Sequence, residues 1–332
     1  MTVDRPVLEA VDLTVVHPPR GGRGPARAVD GVNLSIGRGE IVALIGESGC
    51  GKSTLARALV GLVRPTSGEV RCDGVPLAHR AAGLKAFRRR VQLILQDPGG
   101  ALNPRQSVYD AVAEGPRLHG LRSGLDERVH GALSRAGLRP PEDFTHRFPH
   151  NLSGGQQQRV VIAGAMALDP TVIVADEPVA SLDASVRGEI LKLILGLRDE
   201  TGLSALVVSH DLGLAWNIAD RVAVMYLGRI VETGTVEEVL LYPRHPYTKA
   251  LLSVLPDSRT EAPTLLSGEA PDPTAIPAGC RFHPRCPRWA GASPEERTEA
   301  ACDRRDLPVL PADGSHAACH MVRSHTLTET SA

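Results

Sequence analysis

The segment Gly46–Ser53, with the sequence GESGCGKS, constrains the fold of this chain more than any other. It fits the pattern G-x-x-x-x-G-K-[ST], follows the apolar run Ile41–Ile45 and opens an apolar helical stretch, Thr54–Val63. A strand, a glycine-rich turn and a helix in this order are typical of a phosphate-binding P-loop. The glycines let backbone N–H groups surround phosphate oxygens, and the helix N-terminus adds a favourable dipole. We therefore predict a nucleotide-binding α/β fold.

The side chains of this segment suit a nucleoside triphosphate with its metal ion. Lys52 is expected to neutralise the β- and γ-phosphates, and Ser53 is expected to bind Mg²⁺. The sequence therefore predicts ATP and Mg²⁺ as the bound species. The residues predicted to contact the nucleotide here are Gly46, Glu47, Ser48, Gly49, Cys50, Gly51, Lys52, Ser53 and Thr54.

An acidic pair follows a second apolar run. Asp176 and Glu177 come directly after Thr171–Ala175. The carboxyl ends of buried parallel strands are where such sheets bind ligands. Asp176 suits the Mg²⁺ shell, and Glu177 suits a general base that activates the attacking water.

Short β-branched runs alternate with helical patterns through the first 255 residues, which favours a mainly parallel sheet. Strand signals stop over about residues 97–166, where we expect an inserted helical subdomain. Residues 256–332 are rich in proline and have no long apolar period, so we expect a small extension without much core of its own. The predicted strands are Ile41–Ile45, Val91–Leu95, Val172–Ala175, Ala205–Ser209 and Val222–Tyr226.

Further motifs give this chain a family resemblance over about residues 7–255. Leu152–Gln156 resembles the LSGGQ signature of ABC ATPases. In the family's order, Gln96 matches the Q-loop glutamine, Ser181–Asp183 matches the D-loop, and His210 matches the switch histidine. The resemblance implies a P-loop NTPase with a RecA-like core and a helical subdomain at residues 1–255.

The same resemblance implies that two such domains sandwich ATP. Gln96 would join Ser53 and Asp176 around Mg²⁺, and His210 would hold the γ-phosphate and the attacking water. Glu177, His210 and Gln96 are then the predicted catalytic residues. The signature residues of the partner, which would close over the γ-phosphate, are Ser153, Gly154, Gly155 and Gln156, with Asp183 in the D-loop.

The adenine contact departs from the family pattern. The family usually stacks adenine on an aromatic ring near the N-terminus, often a tyrosine. We place that position at His17. An imidazole stacks less well than a phenol, so a surface histidine without this role is the alternative.

Two segments narrow the resemblance to importers. Asn103–Arg105 and Arg244–Leu252 are similar to runs in ATPase subunits of dipeptide and oligopeptide importers. The resemblance implies a second ATPase subunit (a copy or a paralogue), two membrane permeases and an extracytoplasmic substrate-binding protein, with this chain at the cytoplasmic face of the membrane. Nickel importers share much of this pattern. A formal net charge of −1 argues against an ABC ATPase that acts on nucleic acid.

Four cysteines, Cys280, Cys286, Cys302 and Cys319, lie in the extension. Soft thiolates select zinc or iron–sulfur clusters, although structural zinc sites usually pair cysteines two to four residues apart. Importer ATPases have a tail of this kind, and the resemblance implies a [4Fe-4S] cluster held by four cysteines. The interval from Cys286 to Cys302 is longer than the family's usual spacing. Zinc with three cysteines and a histidine, or unligated thiols, are the alternatives.

Overall fold

Two β-sheets and a layer of helices organise the chain in this computed structural model, which describes residues 5–19, 21–22, 24–180, 182–254, 266, 268 and 271–321. Ser181, part of the predicted D-loop, lies outside the described residues. The strands are β1 (Leu8–His17), β2 (Ala26–Ile36), β3 (Ile41–Ile45), β4 (Ser67–Cys72), β5 (Val75–Pro76), β6 (Val91–Ile94), β7 (Val172–Asp176), β8 (Ser204–Ser209), β9 (Arg221–Tyr226), β10 (Arg229–Thr235) and β11 (His316–Ala317).

The helices vary from single turns to five turns. They are α1 (Lys52–Leu59), α2 (Ala81–Arg90), α3 (Pro98–Ala101), α4 (Val108–Leu118), α5 (Leu125–Arg135), α6 (Glu142–Thr145), α7 (Gly154–Met166), α8 (Ala184–Thr201), α9 (Leu212–Ile218), α10 (Val236–Leu241), α11 (Pro246–Ser253), α12 (Pro287–Ala290) and α13 (Pro294–Ala300), with 3₁₀ turns at Pro149–Asn151 and His283–Arg285. Among the described helices, none combines the length and the apolar composition that a membrane span requires.

The larger sheet has the strand order β11-β10-β9-β3-β8-β7-β6. Its five strands from β9 to β6 are parallel, and every residue of β3, β7 and β8 is buried. Continuous burial explains why these strands read as unbroken apolar runs. The prediction of a parallel α/β sheet is confirmed, with β6 ending at Ile94, one residue earlier than expected.

The carboxyl ends of these parallel strands meet at one edge. The P-loop follows β3, Gln96 lies two residues after β6, Glu177 follows β7 and His210 follows β8. Topology alone therefore collects at one edge the side chains that the sequence predicted to act together.

The smaller sheet is antiparallel, in the order β2-β1-β4-β5, and the sequence analysis did not anticipate it. Its longest pairing, β1 with β2, is interrupted by shifts in register, and Asp12 has a left-handed backbone there (φ 46°). Irregular pairing of this kind blurs the alternation of apolar and polar residues that reveals an antiparallel strand.

Residues 97–166 form helices α3 to α7 with no strand among them. They pack around a hydrophobic cluster of their own that includes Val112, Leu133 and Val160.

The C-terminal extension packs onto the N-terminal part of the chain. Cys280, Phe282, Leu307 and Leu310 belong to the same hydrophobic cluster as strands β1 to β4. The short β11 extends the larger sheet by pairing with β10. The division of the chain at residue 255 stays a prediction.

Candidate nucleotide-binding site

The P-loop turns tightly against strand β2. Gly51 has φ 111°, and a Cβ atom there would lie 2.0 Å from the carbonyl oxygen of Ala28. Only glycine fits this conformation and this contact. Helix α1 begins at the next residue, Lys52, so its first N–H groups point toward the loop.

Lys52 lies inside the loop that precedes it. Its Nζ donates to the carbonyl oxygens of Gly46 (2.7 Å) and Glu47 (2.9 Å), and only 5% of the residue is exposed. These bonds fix a positive charge at the start of helix α1, where phosphate oxygens would approach.

Ser53 and Asp176, which were predicted to share Mg²⁺, are adjacent. The Ser53 hydroxyl donates to Asp176 Oδ1 across 3.1 Å. Burial raises the pKa of the Asp176 carboxyl above its usual value, although the bond from Ser53 opposes this. Oxygen donors of this kind are those that Mg²⁺ prefers, so the pair fits the ion.

Glu177 lies between the other two predicted catalytic side chains. Its Oε1 is 3.1 Å from His210 Nδ1, and its Oε2 accepts from Gln96 Nε2 at 3.4 Å. The backbone of Glu177 is left-handed, with φ 49°, which non-glycine residues rarely adopt. Its own N–H donates to the carbonyl oxygen of Val208 on β8, so the neighbouring strand holds this turn.

All of these side chains except Asp176 line one open cleft of about 540 Å³. Its walls are P-loop residues together with Gln96, Glu177 and His210, and one wall residue, Pro273, comes from the C-terminal extension. The carbonyl oxygen of Pro273 accepts from the backbone N–H of Arg27 on β2 (3.2 Å). Sequence reasoning missed Pro273, because no local pattern reveals a contact across more than 200 residues.

His17 ends strand β1 beside helix α1. Its Nε2 lies 3.4 Å from Thr54 Oγ1. The residue thus neighbours the P-loop, and its role at adenine stays a prediction.

The signature residues form a regular helix start on another part of the surface. Ser153 Oγ accepts from the Gln156 N–H (3.3 Å), while the Gln156 side chain accepts from the Ser153 N–H (3.0 Å), so α7 begins with a capping box. Gly154 is exposed, and a Cβ on Gly155 would lie 2.6 Å from Val186. Of the described residues that line the cleft, none belongs to this segment. Asp183 is exposed at the start of α8.

The four cysteines of the extension come together. Cys280, Cys286, Cys302 and Cys319 line one small cavity of about 10 Å³, so the long interval before Cys302 does not remove it from the group. Burial raises the pKa of Cys280 to about 12 and that of Cys302 to about 11. Nevertheless, over the part of the chain that is described, no group of three or more Cys, His, Asp or Glu residues is arranged to hold a metal ion. The arrangement does not support the predicted metal centre.

Comparison with known proteins covers most of the chain. The ABC transporter family matches residues 29–180, and the oligopeptide/dipeptide transporter C-terminal region matches residues 231–291. The dipeptide transport ATP-binding protein DppF of Escherichia coli K12 is 44% identical over 302 residues, which cover 87% of this chain and 89% of that protein. DppF of Haemophilus influenzae is 44% identical over 293 residues, covering 85% and 88%.

A solved structure has the same fold. The ATP-binding cassette MJ0796, in a dimeric post-hydrolysis state bound to ADP and Pi, superposes with a TM-score of 0.61 at 31% identity, over 69% of this chain and 98% of that chain. With the cleft geometry, these matches show that the chain belongs to the ABC transporter ATPases, in the family of ATP-binding subunits of dipeptide and oligopeptide transporters.

Proposed function

We propose that this chain uses ATP hydrolysis to energise import of dipeptides or oligopeptides through an ABC transporter. The observation that carries the proposal is the position of Glu177, which faces the P-loop cleft between Gln96 and His210. A carboxylate so placed can accept a proton from water beside a bound γ-phosphate.

Binding of ATP rests on the loop and on two oxygen donors. The P-loop N–H groups and Lys52 bind the phosphates, and Ser53 with Asp176 would hold Mg²⁺, with Gln96 nearby. When bound, the ion neutralises charge that develops on the phosphate oxygens. The burial of Asp176 keeps its carboxylate close to the Ser53 hydroxyl and away from bulk water.

Hydrolysis then requires one proton transfer. The water oxygen forms a bond to the γ-phosphorus while the bond to the β,γ-bridging oxygen breaks, and Glu177 receives the proton of the water. His210 contacts Glu177 and is 63% exposed, so its ring is free to reach the γ-phosphate. The products are ADP and inorganic phosphate.

A second ATPase subunit would complete the site. Ser153 and Gly154 are exposed at the positive end of helix α7, and they lie outside the cleft of their own chain. The N-terminus of a helix attracts phosphate. We propose that Ser153, Gly154, Gly155 and Gln156 close over the γ-phosphate of a partner subunit, with Asp183 at the same interface. The dimeric state of MJ0796 supports this arrangement.

Transport requires further subunits. None of the described helices could span a membrane, so we propose that two permease subunits supply the path and that this chain binds them at the cytoplasmic face. An extracytoplasmic protein would deliver the peptide. The names of the relatives and the matched C-terminal region support peptides as the cargo.

Glu177→Gln tests the catalytic assignment. We expect ATP binding to persist while the turnover rate falls by roughly 10²–10⁴-fold, and we expect the closed dimer to accumulate in size-exclusion chromatography with ATP. Glu200→Gln, an exposed change on α8, is the control and should leave turnover unaltered. Normal turnover in Glu177→Gln would refute the assignment. Peptide-stimulated ATPase in vesicles that carry the permeases tests the cargo.

We also propose that the four-cysteine cavity accepts a [4Fe-4S] cluster, with Zn²⁺ as the alternative. The proposal rests on the chemistry of four thiols that line one cavity, since cysteine thiolates are the usual ligands of such clusters, although the side chains as placed do not form a metal site. Protein purified anaerobically should be brown, with broad absorbance near roughly 400 nm and about four irons per chain. Cys280→Ser should lose iron and Cys72→Ser, outside the cavity, should not. Colourless protein with one zinc per chain would establish the alternative, and metal-free protein would exclude both.

A further inference from the structure

Glu47, the second residue of the P-loop, is bound by an arginine of the cysteine segment. Arg285 Nη1 donates to Glu47 Oε2 at 2.8 Å, and Arg285 Nη2 donates to Glu47 Oε1 at 3.2 Å. The Arg285 side chain is only 8% exposed, whereas that of Glu47 is 26% exposed. This bidentate geometry is the strongest form of an arginine–carboxylate contact, and Arg285 is the residue immediately before Cys286.

The backbone of Glu47 is held on the same side. Its N–H donates to the hydroxyl of Tyr247 at 2.9 Å. The Tyr247 ring is fully buried and packs on the rings of Tyr226 and Phe282, with centroids 4.6 Å and 5.4 Å away. Phe282 belongs to the cysteine segment, so the same aromatic cluster joins that segment to the P-loop.

The third contact of Glu47 leads into the phosphate site. Its carbonyl oxygen accepts from Lys52 Nζ at 2.9 Å. Glu47 therefore contacts Lys52 through its carbonyl, Tyr247 through its N–H and Arg285 through its carboxylate. A shift of the Glu47 peptide would move one of the two carbonyls that position the Lys52 ammonium.

The negative charge of Glu47 gives a second reason for an arginine at position 285. A carboxylate in a loop that binds a triphosphate repels the ligand unless a cation neutralises it, and this repulsion is stronger near a protein surface than in water. Arg285 supplies that cation without lining the cleft itself, and its Nη1 also lies 3.5 Å from the hydroxyl of Tyr226 on strand β9.

We propose that Arg285 is a positioning residue for ATP: by neutralising Glu47 it keeps that carboxylate from repelling the triphosphate and from displacing the P-loop, so that the cysteine segment Cys280–Cys286 contributes to nucleotide affinity. This inference rests on the nucleotide site proposed above. It places a determinant of ATP binding in the C-terminal extension, outside the sequence motifs of the ATPase domain.

The test compares the Kd of Mg-ATP, measured by calorimetry, among single and double variants. Arg285→Met should weaken binding about tenfold, because it removes a charge-assisted bidentate contact. Arg285→Lys keeps the charge but loses the fork, so it should weaken binding only about threefold. Glu47→Gln combined with Arg285→Met removes the unpaired carboxylate and should recover affinity to within about threefold of the wild type. Arg288→Met, an exposed change two residues after that segment, should have no effect.

A merely structural anchor would give a different pattern. If Arg285 only attached the extension, the double variant would bind ATP as weakly as Arg285→Met, and this result would overturn the proposal. Wild-type affinity in folded Arg285→Met would also overturn it. If Arg285→Met does not fold, the Kd of Arg285→Lys decides: unchanged affinity there contradicts the proposal. Failure of the wild-type protein to bind ATP would instead refute the proposed function.

Discussion

The exposure of charged side chains differs between the cleft and the junction at which the extension packs on the core. On the cleft side, His210 is 63% exposed and Glu177 makes only loose contacts of 3.1–3.4 Å with its neighbours. On the side of the extension, Asp30 and Arg281 are each 8% exposed and bonded to each other. Buried charges must have their partners within the protein, whereas exposed ones can wait for a ligand. At His210 exposure leaves a ring available to the ligand, whereas the burial of Asp30 and Arg281 marks a pair that joins the extension to the core.

Asp30 is the centre of the buried junction. Its carboxylate accepts from Arg281, from Arg229 (3.2 Å) and from Arg27 (3.0 Å). Burial alone would raise the pKa of this carboxyl, but Arg281 and Arg229 together hold it below its usual value. The carboxylate thus stays ionised and joins strand β2, strand β10 and the cysteine segment.

The largest effect is expected from Asp30→Asn. It leaves the buried Arg281 without its anionic partner, and breaking a buried pair in this way costs about 3–5 kcal/mol of unfolding free energy. Urea unfolding at pH 7 measures this loss. A loss under about 1 kcal/mol would show that the junction is not a buried ion-pair network and would remove the contrast between the two sides.

Lys52→Ala tests the cleft side. Loss of the ammonium should reduce turnover by at least about 10²-fold, as expected when a fixed charge at a phosphate site is removed. The unfolding free energy should fall by less than in Asp30→Asn, because the change leaves two neutral carbonyl oxygens without this donor and no buried charge without its partner. Steady-state ATPase assays with urea unfolding measure both. A large loss of unfolding free energy with normal turnover would show that Lys52 stabilises the fold and does not serve the ligand.

The smallest effect is expected from Asp169→Asn. Asp169 pairs with Arg128 and with Arg135 (3.2 Å), as Asp30 pairs with arginines, but its side chain is 56% exposed. Its backbone is left-handed (φ 49°), which asparagine tolerates well, so the substitution changes little but charge. We expect a loss below about 1 kcal/mol in urea unfolding at pH 7. A loss equal to that of Asp30→Asn would show that burial does not determine how much an aspartate–arginine pair stabilises the fold.

Acid titration gives a second measurement on Asp30→Asn and Asp169→Asn. The pKa of Asp169 lies below its usual value: burial opposes this, but the bonds from Arg128 and Arg135 outweigh it. The stabilisation from either aspartate is therefore complete above the unfolded pKa of 3.8 and is lost as pH falls through the lower folded pKa. The difference between wild type and each variant should shrink below that pH. A difference that persists there would point to packing instead of charge.

Local sequence patterns were sufficient for the parallel sheet and for the residues along its edge. The strands β3, β7 and β8 are buried on both faces, so each appears as an apolar run followed by the residue that acts. Ser153 and Gln156, which the family resemblance assigned to the signature, form the capping box at the start of α7.

Contacts between distant segments could not be predicted from local sequence patterns. The extension lacks an apolar period, because its buried side chains complete the core of another part of the chain. Arg285 contacts Glu47 across 238 positions, and Arg281 contacts Asp30 across 251. No spacing in the sequence indicates that these partners meet, so Pro273 and Arg285 could be assigned only from the structure.

The junction at Asp30 also bears on how the protein is made. Asp30 and Glu47 leave the ribosome more than 200 residues before Arg281 and Arg285, yet their carboxylates depend on those arginines. Domains fold as units during synthesis, generally from the N-terminus. Until residues 280–285 are synthesised, Glu47 lacks its bidentate arginine, Asp30 has only Arg27 and Arg229 of its three arginines, and the outer edge of β10 is without its partner β11. A chain broken before Gly279 would therefore leave Glu47 without its bidentate arginine and Asp30 with two arginines in place of three, so its core would be less stable.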